Sequence, residues 1–240
     1  MFSDYHKKNR FDSLYVSIAD FSYYFSKGSK SMNTIQKPKI PEQLPLLSFS
    51  EALKEDHIKE AVIENGSISG YELQHLCAEQ VIFRNMVFTD VSFRHMECTD
   101  VRFEKCDLSN ADFSGSIIHR TVFQNSKLLG VNLADCTLRN VRFEDCHANY
   151  SSFSYSNMKH VRFEQCTLSE SECNDAALEH TQFDACNLDG ANFIGTSLFN
   201  MDISTCTFED MHVSLDKLKG CRIAPAHAIT FARALGAIVL

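Results

Sequence analysis

Ten cysteines, ten histidines and 31 acidic residues supply raw material for metal binding, redox work or acid–base catalysis, so their spacing has to decide. Zinc and dithiol sites need thiols a few residues apart, and no Cys-x-x-Cys pair occurs. Instead Cys106, Cys146, Cys166, Cys186 and Cys206 fall on one ladder with a step of 20, with Met86 and Ser126 in the remaining rungs. The inward, small-residue position of this ladder marks it as packing and not as a metal or redox site. The histidines scatter, as at His119, His147 and His160, and no phosphate loop, nucleophile elbow, HExxH or dinucleotide fingerprint is present. The sequence therefore predicts no catalytic residue, no metal site and no cofactor. Thiols outside any disulfide spacing fit a reducing, cytoplasmic setting.

The elements that hold these side chains are legible from the period. From Val81 the chain divides into fives: VIFRN, MVFTD, VSFRH, MECTD, VRFEK and onward. The third residue is Phe, Leu, Ile or Met in 23 of 26 fives through Phe208, the exceptions being Cys98, Ala148 and Cys173. The first residue is small or β-branched (Ala, Cys, Ser, Thr or Val) in 23 of the 26, and the fifth is Asn, Asp or Gly in 15, which is turn chemistry. Neither the strand period of 2 nor the helix period of 3.6 fits. A chain that turns a corner every five residues does, and four corners close a coil of 20. The expected column appears: Phe83, Phe103, Phe123, Phe143, Phe163 and Phe183 recur at that step. Parallel coils about 4.8 Å apart would stack these rings into a buried core column and set Arg102, Arg142 and Arg162 beside Glu104, Glu144 and Glu164 as an exposed ladder.

Fives such as CDLSN, ADFSG, CNLDG and ANFIG resemble the A(D/N)Lxx consensus of the pentapeptide-repeat family. The resemblance implies an all-β chain, a right-handed quadrilateral parallel β-helix of about eight coils with short helical caps. The expected division is an extension over 1–31, an N-terminal cap over 32–60, the β-helix over 61–223 and a C-terminal helix and apolar tail over 224–240. In the N-terminal cap, Ser48 and Glu51 form a capping box and SEALKEDHIKEA reads as a short helix. Residues 1–31 join no element; Asp12 and Asp20 break the apolar stretch that a signal peptide would need, and Met32 is a candidate start. No apolar run approaches the roughly 18 residues of a membrane span.

Partners follow from the ends and from charge. Pro225 suits a first helical turn, Ala228, Phe231, Ala232 and Leu235 share a face, and Ile238 to Leu240 continue apolar, which predicts burial against a second copy, the alternative being a cap folded onto its own last coil. The stretch LKGCRIAPAHAITFARALGAIVL is also similar to the module through which Qnr-type and MfpA-type members of the family dimerise. The formal net charge of −8 argues against direct nucleic-acid binding. From Phe163 to Asp216 there is no Lys or Arg, and Glu172, Asp175, Glu179, Asp184, Asp189, Asp202, Glu209 and Asp210 are expected to form an acidic binding surface. The resemblance to the Qnr and MfpA types implies a DNA mimic that binds type II topoisomerases, DNA gyrase and topoisomerase IV, and lowers quinolone action. Qnr-type members commonly carry coil-interrupting loops needed for protection. This chain has none between Phe83 and Val213, so it is nearer the MfpA-like form, and quinolone protection follows less directly than topoisomerase binding. A scaffolding repeat protein with an unrelated protein partner is the alternative reading.

Overall fold

Every fifth residue from Asn65 to Asn200 adopts a positive φ, between 44° and 79°. A left-handed residue reverses the local direction of a chain that is otherwise extended, so each five ends in a corner. Gly, Asn and Asp enter this region at least cost, which is why they crowd the fifth position. Gly190 shows a second demand: its φ is +69°, and a Cβ there would lie 2.6 Å from the Glu170 carboxylate of the coil before.

The computed structural model describes residues 35–239, and the expectations about residues 1–31 and Leu240 lie outside them. Six eight-residue strands, β1 (His57–Glu64), β2 (Cys77–Arg84), β3 (Glu97–Glu104), β4 (Ile117–Gln124), β5 (Thr137–Glu144) and β6 (Asn157–Glu164), pair in parallel in sequence order. The register is 20 throughout, with Val81 on Val101 and Phe83 on Phe103. Shorter strands continue the stack: β7 (Ala177–Glu179) and β8 (Gln182–Asp184) on β6, then β9 (Ala191–Phe193) with β10 (Met211–Val213). The result is the parallel β-solenoid of about eight coils that the spacing predicts. We number its faces by the fives: Val81–Asn85 lies on face one, Met86–Asp90 on face two, Val91–His95 on face three and Met96–Asp100 on face four. Each long strand bends from face four onto face one, while faces two and three are joined by single bridges such as Val87 to Asp107 and Ser92 to Asp112.

First and third residues of each five point inward and fill the core. The face-one rings from Phe103 to Phe183 stack with centroids 4.6–4.9 Å apart and planes within 6°, a spacing dictated by the strand separation. Across the core Phe153 of face three meets Phe143 and Phe163 edge-on at 5.8 and 5.3 Å, the complementary aromatic geometry. The cysteine ladder is buried as well. Cys106, Cys146 and Cys166 each place Sγ 3.3–3.4 Å from the carbonyl oxygen of the Phe 23 residues earlier, and Ser126 Oγ does the same at 3.3 Å. A weak S–H donor thus stands in for a hydroxyl at a corner.

The ends depart in part from expectation. The capping box at Ser48 and Glu51 is present, but helix α1 covers only Phe49–Ala52, and His57–Glu64 is strand. The helical reading of SEALKEDHIKEA fails because Ile58, Ala61 and Ile63 sit under Ala78, Val81 and Phe83 as full members of the inward columns, so the coils begin before residue 61. Ahead of α1, the segment 36–47 runs outside the stack as a strap. Leu47 N–H donates to the Val62 carbonyl, Lys39 N–H to the Asp100 carboxylate at 2.8 Å, and Gln36 N–H to Asn140 Oδ1. Asp100, on the corner between faces four and one, also receives Arg120 at 2.6 and 2.7 Å. Pro38 and Ile40 lie beside Val122, an outward residue that is 7% exposed.

At the other end, Pro225–His227 form a single 3-10 turn that leads into helix α2 (Ala228–Ala234). His227 stacks on Phe208 with centroids 4.0 Å apart, Phe231 meets the same ring at 6.0 Å, and Thr230 Oγ1 donates to the Glu209 carbonyl. The buried side of the helix is therefore 227, 230 and 231. Phe231, expected at a subunit contact, closes its own last coil, while Leu235 and Ile238 remain 70% and 87% exposed.

Phe143 is 1% exposed with a ring stacked above and below. Phe143→Ala is expected to lower stability by about 3–5 kcal/mol, with the loss spreading to adjoining coils because each coil is held by its neighbours. A melting temperature equal to that of the parent chain would overturn the assignment of the face-one column to the core.

Candidate binding surface

Charge is sorted by face. On faces four and one, 12 cations stand against 14 carboxylates and pair with nine of them: Arg84 bridges Glu64 and Glu104 at 3.2 and 2.9 Å, Arg102 reaches Glu104 at 2.8 Å, and Arg142 reaches Glu144 at 2.6 Å. Arg162 contacts Glu164 and Asp184, at 3.3 and 2.8 Å. The expected arginine–glutamate ladder is thus present, as half-buried pairs whose charges cancel locally.

Faces two and three differ. Face two carries Asp90, Asp107, Glu170, Asp189, Glu209 and Asp210 against Lys127; face three carries Glu72, Asp112, Asp135, Glu172 and Asp175 against Arg94. Those two cations lie near Asp107 and Asp112, at 3.3 and 3.9 Å, and the other nine carboxylates have no cation within 4 Å among the described residues. The two faces share the corner marked by Asp90, Asn110, Gly130, Tyr150, Glu170, Gly190 and Asp210, diagonally opposite the corner under the strap.

The eight acids expected to form one surface do not. Glu179 lies on face four and pairs with Lys159 at 2.5 Å; Asp184 and Asp202 lie on face one, with Arg162 and Arg222 at 2.8 and 3.0 Å. A coil closing in 20 residues carries chain neighbours round all four sides, and each partner cation comes from an adjoining coil about 20 residues away. A charge count along the chain misses both effects. Glu172, Asp175, Asp189, Glu209 and Asp210 do lie on faces two and three. What was missed is Glu72, Asp90 and Asp135, which precede the cation-free stretch that also holds Glu170, and writing the sequence in rows of twenty would have lined them up. Two exposed tyrosines, Tyr150 and Tyr155, stand at the corners of face three within this acidic region.

Among the described residues no group of His, Cys, Asp and Glu could hold a metal ion. Burial pushes the Cys106 and Cys173 thiols up to about 12, which keeps them protonated and inert. Two shallow hollows are present, one beside Arg84, Glu104 and Gln124 and one under the strap beside Arg102 and Arg142; both are lined by the paired ladder. Among the described residues no helix is long and apolar enough to cross a membrane.

Asp189 is the exception among the unpaired acids, because its work is structural. Its Oδ1 accepts the backbone N–H groups of Glu209 and Asp210 at 2.8 and 3.0 Å, and these bonds hold its carboxyl below the usual aspartate range. A lowered folded-state pKa means the contribution is present above the unfolded value of about 3.9 and is lost as pH falls through the folded value. The protection factors of the Glu209 and Asp210 amides, corrected for the intrinsic pH dependence of exchange, should therefore fall on acidification below that range. Asp189→Ala should show the same fall at neutral pH, while Asp175→Ala should not; equal protection in all three proteins would remove Asp189 from this role.

Comparison with known proteins agrees with this architecture. The family model described as "Pentapeptide repeat region" matches residues 96–171 and 156–226. YisX of Bacillus subtilis (strain 168) is 61% identical over 207 residues, covering 86% of this chain and 98% of that protein. Among solved structures, HetL, a pentapeptide repeat protein involved in heterocyst differentiation regulation in the cyanobacterium Nostoc sp. strain PCC 7120, covers 69% of this chain and 84% of its own at 11% identity and a TM-score of 0.49. Full-length QnrB1, a plasmid-mediated fluoroquinolone resistance protein, covers 80% and 95% at 18% identity and a TM-score of 0.39. The chain belongs to the pentapeptide-repeat family.

Proposed function

We propose that this pentapeptide-repeat protein is a non-catalytic, cytoplasmic binding protein whose faces two and three imitate the charge of a DNA backbone toward a protein that grips DNA, with type II topoisomerase (DNA gyrase or topoisomerase IV) as the partner. The observation that supports this reading is the nine carboxylates without a cation partner on two adjoining faces, which carry two cations against eleven carboxylates, where the other two faces carry 12 cations against 14. Spread over eight coils about 4.8 Å apart, they amount to roughly one charge per 4 Å. Duplex DNA carries about one per 1.7 Å, but distributed round its whole circumference. A single side of the rod therefore offers a field of comparable order to cationic clefts, which act mainly on the rate of association. Ion pairs on faces four and one cancel and add little to it.

Neutralising Glu170, Glu172, Asp175 and Glu209 to Gln or Asn leaves every inward column and Asp189 untouched. Binding to purified DNA gyrase should weaken through a slower on-rate and a shallower salt dependence. Glu104→Gln with Glu144→Gln, which removes carboxylates already paired, should have a small effect. Equal loss from both sets, or binding that duplex DNA does not displace, would argue for a scaffold and against mimicry; absence of gyrase binding by the parent chain would remove that partner.

We also propose a homodimer through the C-terminal end, supported by the exposed Leu235 and Ile238 beside a helix that already seals the last coil. Leu235→Lys with Ile238→Lys keeps His227, Thr230 and Phe231 in place. In sedimentation at micromolar concentration the parent should run as a dimer and the variant as a monomer; a monomeric parent ends the proposal.

A further inference from the structure

Tyr150 and Tyr155 are placed where this fold gives a tyrosine nothing. Both are corner residues with a φ of 59°, in positions that hold Asn, Asp or Gly in 15 of the 26 fives. They are 66% and 62% exposed, and among the described residues neither ring stacks on another aromatic and neither hydroxyl has a hydrogen-bond partner. The core does not use them and the corner does not favour them.

Their neighbours are fixed by backbone hydrogen bonds. Tyr150 N–H donates to the Ser169 carbonyl at 3.0 Å, which sets it directly beside Glu170 in the next coil; Tyr155 N–H donates to the Asn174 carbonyl at 2.9 Å, beside Asp175. Asp135 N–H donates to the Ser154 carbonyl, so Tyr155 has a carboxylate in the coil on either side. Between the two rings the outward residues of face three are Ser152 and Ser154, too short to obstruct a flat group.

We infer that Tyr150 with Glu170, and Tyr155 with Asp135 and Asp175, are two sockets for arginine side chains of the partner, at the middle of the acidic edge. The inference rests on the acidic-edge reading and sharpens it from cations in general to guanidinium. A guanidinium stacks flat on an aromatic ring while its N–H fork engages a carboxylate, which the compact, strongly hydrated ammonium of lysine does less well. Tyrosine and arginine are also the residues on which interface energy concentrates. Carboxylates alone would attract both cations equally; rings set beside carboxylates discriminate.

The test uses the full chain with fluorescent nona-arginine and nona-lysine peptides as probes. The parent protein should prefer the arginine peptide by about fivefold, the order expected of one or two exposed ring–cation contacts. Tyr150→Asn with Tyr155→Asn installs a residue that corners of this solenoid carry at Asn110, Asn125 and Asn140, so the melting temperature should hold or rise. In that variant the preference should fall to near unity with nona-lysine affinity unchanged. A preference that survives in the well-folded variant overturns the sockets and leaves the acidic edge standing. If the variant neutralised at Glu170, Glu172, Asp175 and Glu209 binds both peptides as tightly as the parent, the edge fails and the sockets with it.

Discussion

One backbone constraint underlies the molecule: a left-handed residue at every fifth position. With four such corners per coil, each backbone group on a side meets its counterpart 20 residues on, so the hydrogen bonds run along the rod's length. Everything else inherits that step. Rings stack at the spacing of the strands, thiols sit above thiols, and several carbonyls accept from the Cys, Ser or Thr side chain 23 places later. Stability resides in the columns, and any one coil depends on the coils beside it.

The same step governs electrostatics. A side chain's neighbours are the residues 20 before and 20 after it, so the sign pattern along a column decides whether charge is cancelled or accumulated. On face one Arg84 stands between Glu64 and Glu104, and Arg142 and Arg162 of the adjoining column meet Glu144, Glu164 and Asp184, which produces linked pairs. The corner column through Glu170 and Asp210 has no cation in it and produces a net field. The extended strands and the strap lie on the balanced side, and the unbalanced side is left open. Structural and recognition duties are thereby divided between opposite sides of one rod, which lets the exposed side change without touching the inward positions.

Most of the fold was legible because the inward pattern is strict and local: Phe143 and Cys146 are assigned correctly from the fives alone. The N-terminal boundary was not, since HIKEA satisfies both a short helical pattern and the coil register, and only the pairing of Ile58 with Ala78 decides between them. The strap was invisible because it belongs to no repeat, and its bonds to Asp100 and Asn140 join residues 61 and 104 positions apart. The acidic surface was half legible. Its sign could be counted along the chain, but its location depends on the angular position of each residue, and Asp184 and Asp202 proved to face the arginines of neighbouring coils. Tyr150 and Tyr155 were overlooked because a search for periodicity discards the residues that break it.

The corner rule also sets a unit of heritable change. Deleting five residues from mid-rod preserves every corner and every inward position, so such a protein still folds. Yet everything beyond the deletion turns by a quarter, arginines of face one come to lie over carboxylates of face two, and the open side is scrambled. Deleting twenty shortens the rod by one layer and keeps each face intact. Lineages that rely only on the core can therefore drift in steps of five, whereas a lineage selected for what its faces present is restricted to steps of twenty.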